Sequence, residues 1–178
     1  LARYGAAGSN PVAIAFPADE NSAQAGLYRL SQLECRSVSS WQALSGRNVK
    51  GENGFAHEPA GVADSVRLAC ETGIAGLSIE DSTGNPNLPL FGLDDACARF
   101  SAARKAIDQT GANVVLVGRA ECFLWGRPDL DETIARLKAY ANLGADCLYA
   151  PGITSPEQIS AVVAAVHPKP VNLLVGSA

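Results

Sequence analysis

The 178 residues amount to one domain's worth of chain, and 47% apolar content with 18% charged residues is the composition of a globular protein with a buried core rather than a disordered one. A formal charge of −4 leaves no basic patch for nucleic acid, and no apolar run has the length needed to cross a bilayer. The opening Leu1-Ala2-Arg3-Tyr4-Gly5 lacks the build of a signal peptide. Five cysteines, odd in number and without a Cys-x-x-Cys pair, fit free thiols in a reducing compartment, so a cytoplasmic protein is expected. His57 and His167 are too few to complete a zinc site.

Pro11 to Phe16 reads as a first buried strand, and Pro17 to Ser22 as a polar turn into a helix running to about Leu33, capped by Asp19 or Asn21. Cys35 to Ser40 is a serine-rich second strand. Trp41 to Asn48 is too short for a crossover helix between parallel strands. Val49 to Glu52 is a third strand ending in Glu52-Asn53-Gly54-Phe55, and His57-Glu58-Pro59 leads into a helix that ends near Gly73. Gly76 to Ile79 is a fourth strand, delivering Glu80 and Asp81 at its C-terminal end. The polar run from Ser82 to Pro89, punctuated by Gly84, Pro86 and Pro89, reads as a lid loop.

Leu93 to Thr110 is helical, with Asp94 and Asp95 in its first turn and Gly111 past its end. Asn113 to Val117 is a fifth strand running into Arg119-Ala120-Glu121, and Asp129 or Asp131 opens a helix to Asn142. Asp146 to Ala150 is a sixth strand, Ser155 caps a further helix, and Pro170 to Val175 is a seventh strand. Strands that carry polar groups at one end, with helices between them, form the pattern of a single βα-repeat domain over 1–178 whose active face lies at the strand C-termini. A closed eightfold barrel would need one more strand and helix.

Six motifs in order, Glu52-Asn-Gly-Phe, Gly76-Leu-Ser-Ile-Glu-Asp, Arg119-Ala-Glu, Gly126-Arg-Pro-Asp-Leu-Asp, Gly144-Ala-Asp-Cys-Leu-Tyr-Ala-Pro-Gly and Lys169-Pro-Val-Asn-Leu-Leu, resemble the isocitrate lyase and phosphoenolpyruvate mutase superfamily. The match is closest to its phosphonomutase-like branch with the 2-methylisocitrate lyases, and it covers about Val49 to Gly176. The resemblance implies a (β/α)8 barrel that binds Mg²⁺ and a small 2-oxo or 2-hydroxy carboxylate and breaks or forms a C–C or P–C bond through a pyruvate enolate. It also implies a homo-oligomer, because relatives exchange their last helix between subunits. Glu52 and Glu80 match acidic positions around the metal, with Glu80 also at the reacting centre. Arg119 matches the arginine that binds the substrate carboxylate and stabilises the enolate. Asn172 matches a polar position on the seventh strand, and Ser39 and Ser40 fall near a backbone segment that holds the carboxylate.

Three departures bear on the chemistry. Lys50 stands where the family carries its closest metal-binding aspartate, and an ammonium there would repel Mg²⁺ or replace it as the positive charge. The acidic segment after the second strand has no counterpart in Trp41 to Asn48. The lyases' Lys-Lys-Cys-Gly-His lid motif is replaced by Ser82-Thr-Gly-Asn-Pro-Asn, leaving Cys122 or a water as proton donor. A barrel that has lost its metal and serves as a binding or assembly subunit is the alternative expectation. A Schiff base on Lys50 is a third.

Overall fold

The structure, a computed structural model, describes residues 3–4, 12–15, 54, 56–71 and 76–174. In chain order it contains β1 (Arg3–Tyr4), β2 (Val12–Ala15), α1 (Pro59–Glu71), β3 (Gly76–Glu80), β4 (Ser82–Asn85), β5 (Leu88–Leu90) and α2 (Leu93–Thr110). There follow β6 (Val115–Arg119), α3 (Leu130–Asn142), β7 (Cys147–Tyr149), α4 (Pro156–Val166) and β8 (Val171–Leu174). The helix expected to reach Leu33, the strands at 35–40 and 49–52, and the short 41–48 connection lie outside the described residues.

Each helix is placed by an apolar stripe and by its end chemistry. On α1 the buried residues Val62, Val66 and Cys70 recur every four positions, and Pro59 opens the helix where a missing N–H costs nothing. On α2 the stripe is Ala96, Phe100, Ala103 and Ile107, and Gly111 ends the helix at φ 67°, a left-handed conformation suited to glycine. Asp129, rather than Asp131, caps α3 by accepting from the Glu132 N–H at 2.9 Å. Ser155 caps α4 through the Gln158 N–H at 3.1 Å, with Pro156 at the first helical position.

Strands β3, β6, β7 and β8 are parallel neighbours in that order. The expected parallel βα pattern holds over this half of the chain. Helix α2 packs on β3, α3 on β6 and β7, and α4 on β8. The core between these layers includes Phe100, Ile107, Leu116, Leu137, Tyr140, Leu148, Val162 and Val171, with Phe100 and Tyr140 stacked at 5.3 Å. Arg99, buried on α2, donates to the carbonyls of Ala56 (2.7 Å) and His57, while its guanidinium carbon sits 4.1 Å from the Phe91 ring centre. That arginine ties the approach to α1 onto α2.

Three expectations are corrected. The strand at 12–15, expected as the first strand of a barrel, pairs antiparallel with β8 and with β1, so six of the eight described strands form one sheet in the order β1-β2-β8-β7-β6-β3. The four residues of β2 match the four of β8 and complete its backbone pairing on the side away from β7. The run 82–89 is a hairpin of β4 and β5 rather than a loop. Its polar side chains close it locally: Thr83 donates to the Leu88 carbonyl and Asn85 accepts from the Asn87 N–H at 3.0 Å. Finally, β6 begins at Val115 rather than Asn113, because the Val114 N–H turns back to the Ala112 carbonyl (3.1 Å) and leaves the ladder.

Two predictions follow from the packing. Gly118 lies under α3, where an added Cβ would stand 2.7 Å from Tyr140 Cβ and 3.2 Å from Leu148 Cδ1. Gly118→Ala is therefore expected to lower stability by about 1–3 kcal/mol, read as a shift of the urea midpoint. The described cysteines are all free thiols, and burial pushes those of Cys122 and Cys147 up, Cys147 to about 12. Since only the thiolate reacts, iodoacetamide at pH 8 should leave both unmodified in the native protein and label both in urea; native labelling at either site would contradict the packing.

Candidate active site at the strand C-termini

Parallel pairing puts four residues in one line across the sheet. Glu80 is in register with Arg119, Arg119 with Tyr149, and Tyr149 with Asn172. These are the C-terminal residues of β3, β6 and β7 together with the second residue of β8. The preceding line, Ile79, Gly118, Leu148 and Val171, is buried, and Gly118 abuts Tyr140 of α3. Because side chains alternate along a strand, the Glu80 to Asn172 line projects to the sheet face opposite the helices.

Arg119 is held from two sides. Its Nη1 is 2.9 Å from Glu80 Oε1, and its Nε donates to Glu121 Oε1. Both carboxylates are buried, and the guanidinium carbon stands 5.3 Å over the Tyr149 ring. Burial alone pulls the arginine's pKa down, but Glu121 and Glu80 outweigh it and hold the cation above the ordinary arginine range. Burial also pushes the Tyr149 phenol up, so it is neutral near pH 7. Arg119 therefore offers a fixed, permanent cation at the strand ends. Asn172 adds a buried side-chain oxygen, Oδ1, with no hydrogen-bond partner among the described residues.

Beneath this line lies a second polar group. Asp81 is 1% exposed, and its Oδ1 accepts from the Glu121 backbone N–H at 2.8 Å. Its Oδ2 accepts from Tyr140 at 2.8 Å and from Arg136 Nη1 at 3.1 Å. Burial pushes the Asp81 carboxyl above the usual carboxylate range, and these three donors offset only part of that rise. Arg136 also donates to the Phe91 carbonyl (3.0 Å) and to Glu132, while the Phe91 N–H donates to the Asp81 carbonyl at 2.9 Å. Nearby, Trp125 Nε1 donates to Ser82 at 3.1 Å, tying the hairpin to the turn after Glu121.

Of the site residues expected from sequence, Glu80, Arg119 and Asn172 come together in this line. Glu52, Ser39, Ser40 and Lys50 lie outside the described residues. Cys122 does not join the line: it is 0% exposed, with its thiol near Thr133. Motif order does not identify Glu121 and Tyr149, which the structure adds to the site. The sequence signal for Glu121 is its position two residues after Arg119, and that for Tyr149 is its place at the end of the Cys-Leu-Tyr strand, where the register alone decides which residues are neighbours.

Among the described residues no three His, Cys, Asp or Glu side chains stand close enough to hold a metal unaided. The donor set in the line is nevertheless carboxylate and carboxamide oxygen. Hard-cation chemistry of that kind suits Mg²⁺, which keeps several waters and is commonly bound through one or two carboxylates. No helix among the described residues is long and apolar enough to cross a membrane.

Comparison with known proteins gives a consistent picture. Oxaloacetate decarboxylase of Bradyrhizobium sp. (strain ORS 278) is 30% identical over 125 residues, covering 67% of this chain and 41% of that protein. A crystal structure assigned provisionally as a lyase/mutase from Burkholderia cenocepacia J2315 superposes with a TM-score of 0.63 at 48% identity, covering 64% of this chain and 41% of the other. The crystal structure of 2,3-dimethylmalate lyase, a member of the PEP mutase/isocitrate lyase superfamily, matches at a TM-score of 0.61 and 28% identity, covering 67% and 41%. The chain thus spans 41% of the length of each of these relatives. The family model described as phosphoenolpyruvate phosphomutase matches residues 48–178, so the chain belongs to that family.

Proposed function

We propose that this chain carries the reacting centre of a Mg²⁺-dependent lyase or mutase, which breaks or forms a C–C or P–C bond of a small 2-oxo or 2-hydroxy carboxylate through a pyruvate enolate. The parallel strands would be an arc of the (β/α)8 barrel that the resemblance implies. The observation that carries the reading is the grip of two buried carboxylates, Glu80 and Glu121, on one partly exposed guanidinium at the strand C-termini. Such a cation is preorganised, so it loses little by reorganising when charge develops on a substrate oxygen.

The chemistry asks little else of the protein. For a 2-oxo substrate, when the bond from the third carbon breaks, the departing group leaves without the bonding pair, as CO₂ or a phosphoryl group, and that pair would form the C2–C3 double bond of the enolate with negative charge on the C2 oxygen. Arg119 would donate hydrogen bonds to that oxygen or to a neighbouring carboxylate through guanidinium N–H groups other than those bonded to Glu80 and Glu121. Asn172 would orient the substrate by accepting from a hydroxyl group or a water. Mg²⁺, when bound, would supply Lewis-acid charge beside the same oxygen, and Glu80 and Glu121 are the described residues that would hold its water shell. The hairpin from Ser82 to Leu90 contains no titratable side chain, so the proton that ends the enolate comes from another source. Buried Cys122, with its thiol raised, is poorly placed to be that source, and water is the donor this reading favours.

Oxalate, a planar mimic of the enolate, provides the test. Calorimetry should show oxalate binding that requires Mg²⁺; heat without metal dependence, or no heat at all, would overturn the reading and favour a binding or assembly role. Arg119→Lys keeps the charge but loses the fork, and it is expected to weaken oxalate binding roughly 10- to 100-fold and to lower kcat/KM on oxaloacetate by at least as much.

A further inference from the structure

Asp81 sits next to Glu80 in sequence, yet its carboxylate points away from the line of site residues and into a buried polar group. Three of its bonds matter. Oδ1 holds the Glu121 backbone N–H at 2.8 Å, and the side chain of Glu121 holds Arg119. Oδ2 holds Tyr140 and Arg136, both on α3. Arg136 reaches on to the Phe91 carbonyl at 3.0 Å, and Phe91 in turn donates its N–H to the Asp81 carbonyl, which closes the base of the 82–90 hairpin.

These contacts are selective in a way that packing is not. A carboxylate that served only to balance Arg136 would have no need of a backbone N–H from the next strand's loop. The partner used is the amide of the one residue after β6 whose side chain bonds the site arginine. Buried polar networks of this kind fix one arrangement of the groups they join, because any other leaves a desolvated charge without its partners.

We propose that Asp81 is the positioning residue of the site, setting the backbone of Glu121 and through it the orientation of Arg119, with Arg136 and Tyr140 holding Asp81 in place and locking the hairpin base to the same group. This rests on the functional reading above for its consequence in binding, but its geometric content stands apart from it. Asp81 itself touches neither substrate nor metal.

The test is a double-mutant cycle on Asp81→Asn and Glu121→Gln. Its readouts are Mg²⁺-dependent oxalate binding and, separately, thermal unfolding without ligand. Asp81→Asn should weaken oxalate binding at least tenfold in the native background and by less than twofold in the Glu121→Gln background, while lowering Tm in both. A role in folding alone gives the opposite: the Tm falls, but oxalate affinity is unchanged, or it falls equally in the two backgrounds, and either outcome overturns the proposal. If Asp81→Asn fails to fold, Tyr140→Phe removes one donor to Asp81 while keeping the ring on Phe100, and the same cycle is read with an expected loss of threefold or more. If the native protein binds no oxalate, the functional reading falls. A crystal structure of Asp81→Asn, or of Tyr140→Phe where that variant replaces it, then decides the inference: displacement of Glu121 and Arg119 supports it, and superposition of residues 119–121 on the native structure overturns it.

Discussion

A guanidinium gripped by carboxylates from two different segments is the constraint on which the site depends. Glu80 ends β3 and Arg119 ends β6, and parallel register alone places them side by side. Glu121 arrives from the loop beyond. Arginine cannot lose its proton under ordinary conditions, so the charge at this point is permanent and what the fold has to supply is its direction. Two buried acceptors, one at a strand end and one from the turn after β6, and an aromatic face fix that direction. The arrangement is costly to build, since both carboxylates are buried and the guanidinium is partly so, and burying charge is weak evidence for stability. Under the proposed function, the return on that cost is a cation already oriented for an anionic substrate.

The helices supply what the strands cannot. The line of site residues has a matching line on the other sheet face, in which Gly118 lets Tyr140 approach β6 closely. That approach brings the Tyr140 hydroxyl to Asp81, and Arg136, one turn earlier on α3, reaches both Asp81 and the Phe91 carbonyl. A glycine inside a strand, ordinarily a weakness, is therefore tied to the geometry of the polar group around Asp81. Arg99 performs a comparable task at the other edge of α2, holding the carbonyls that lead into α1.

Much of the described fold was legible from residue pattern. The helix from Leu93 to Thr110, the caps at Asp129 and Ser155, and the strand ending in Glu80 follow from apolar periodicity and end chemistry, both of which are local. The 82–90 hairpin was not legible, because Ser82, Thr83, Asn85 and Asn87 read as loop formers, while the side-chain to backbone bonds they make here close a hairpin instead. The antiparallel seat of Val12–Ala15 was not legible either: an apolar run states that a strand is buried and is silent on the direction of its neighbour. At the site, motif order singled out Glu80, Arg119 and Asn172. Glu121 and Tyr149 needed the register, which is a relation between distant segments, and the structural part of Asp81 needed the position of α3.

The central claim is that an anionic, enolate-like ligand is held at the line running from Glu80 to Asn172. A crystal structure of the protein with Mn²⁺ in place of Mg²⁺ and with oxalate tests it most directly, because the metal's anomalous signal locates it independently of the phases. The account predicts the metal peak beside Glu80 and Glu121, with oxalate bonded to both the metal and an Arg119 nitrogen. A metal or oxalate bound elsewhere, with Arg119 still enclosed by its two carboxylates and touching neither, would contradict it.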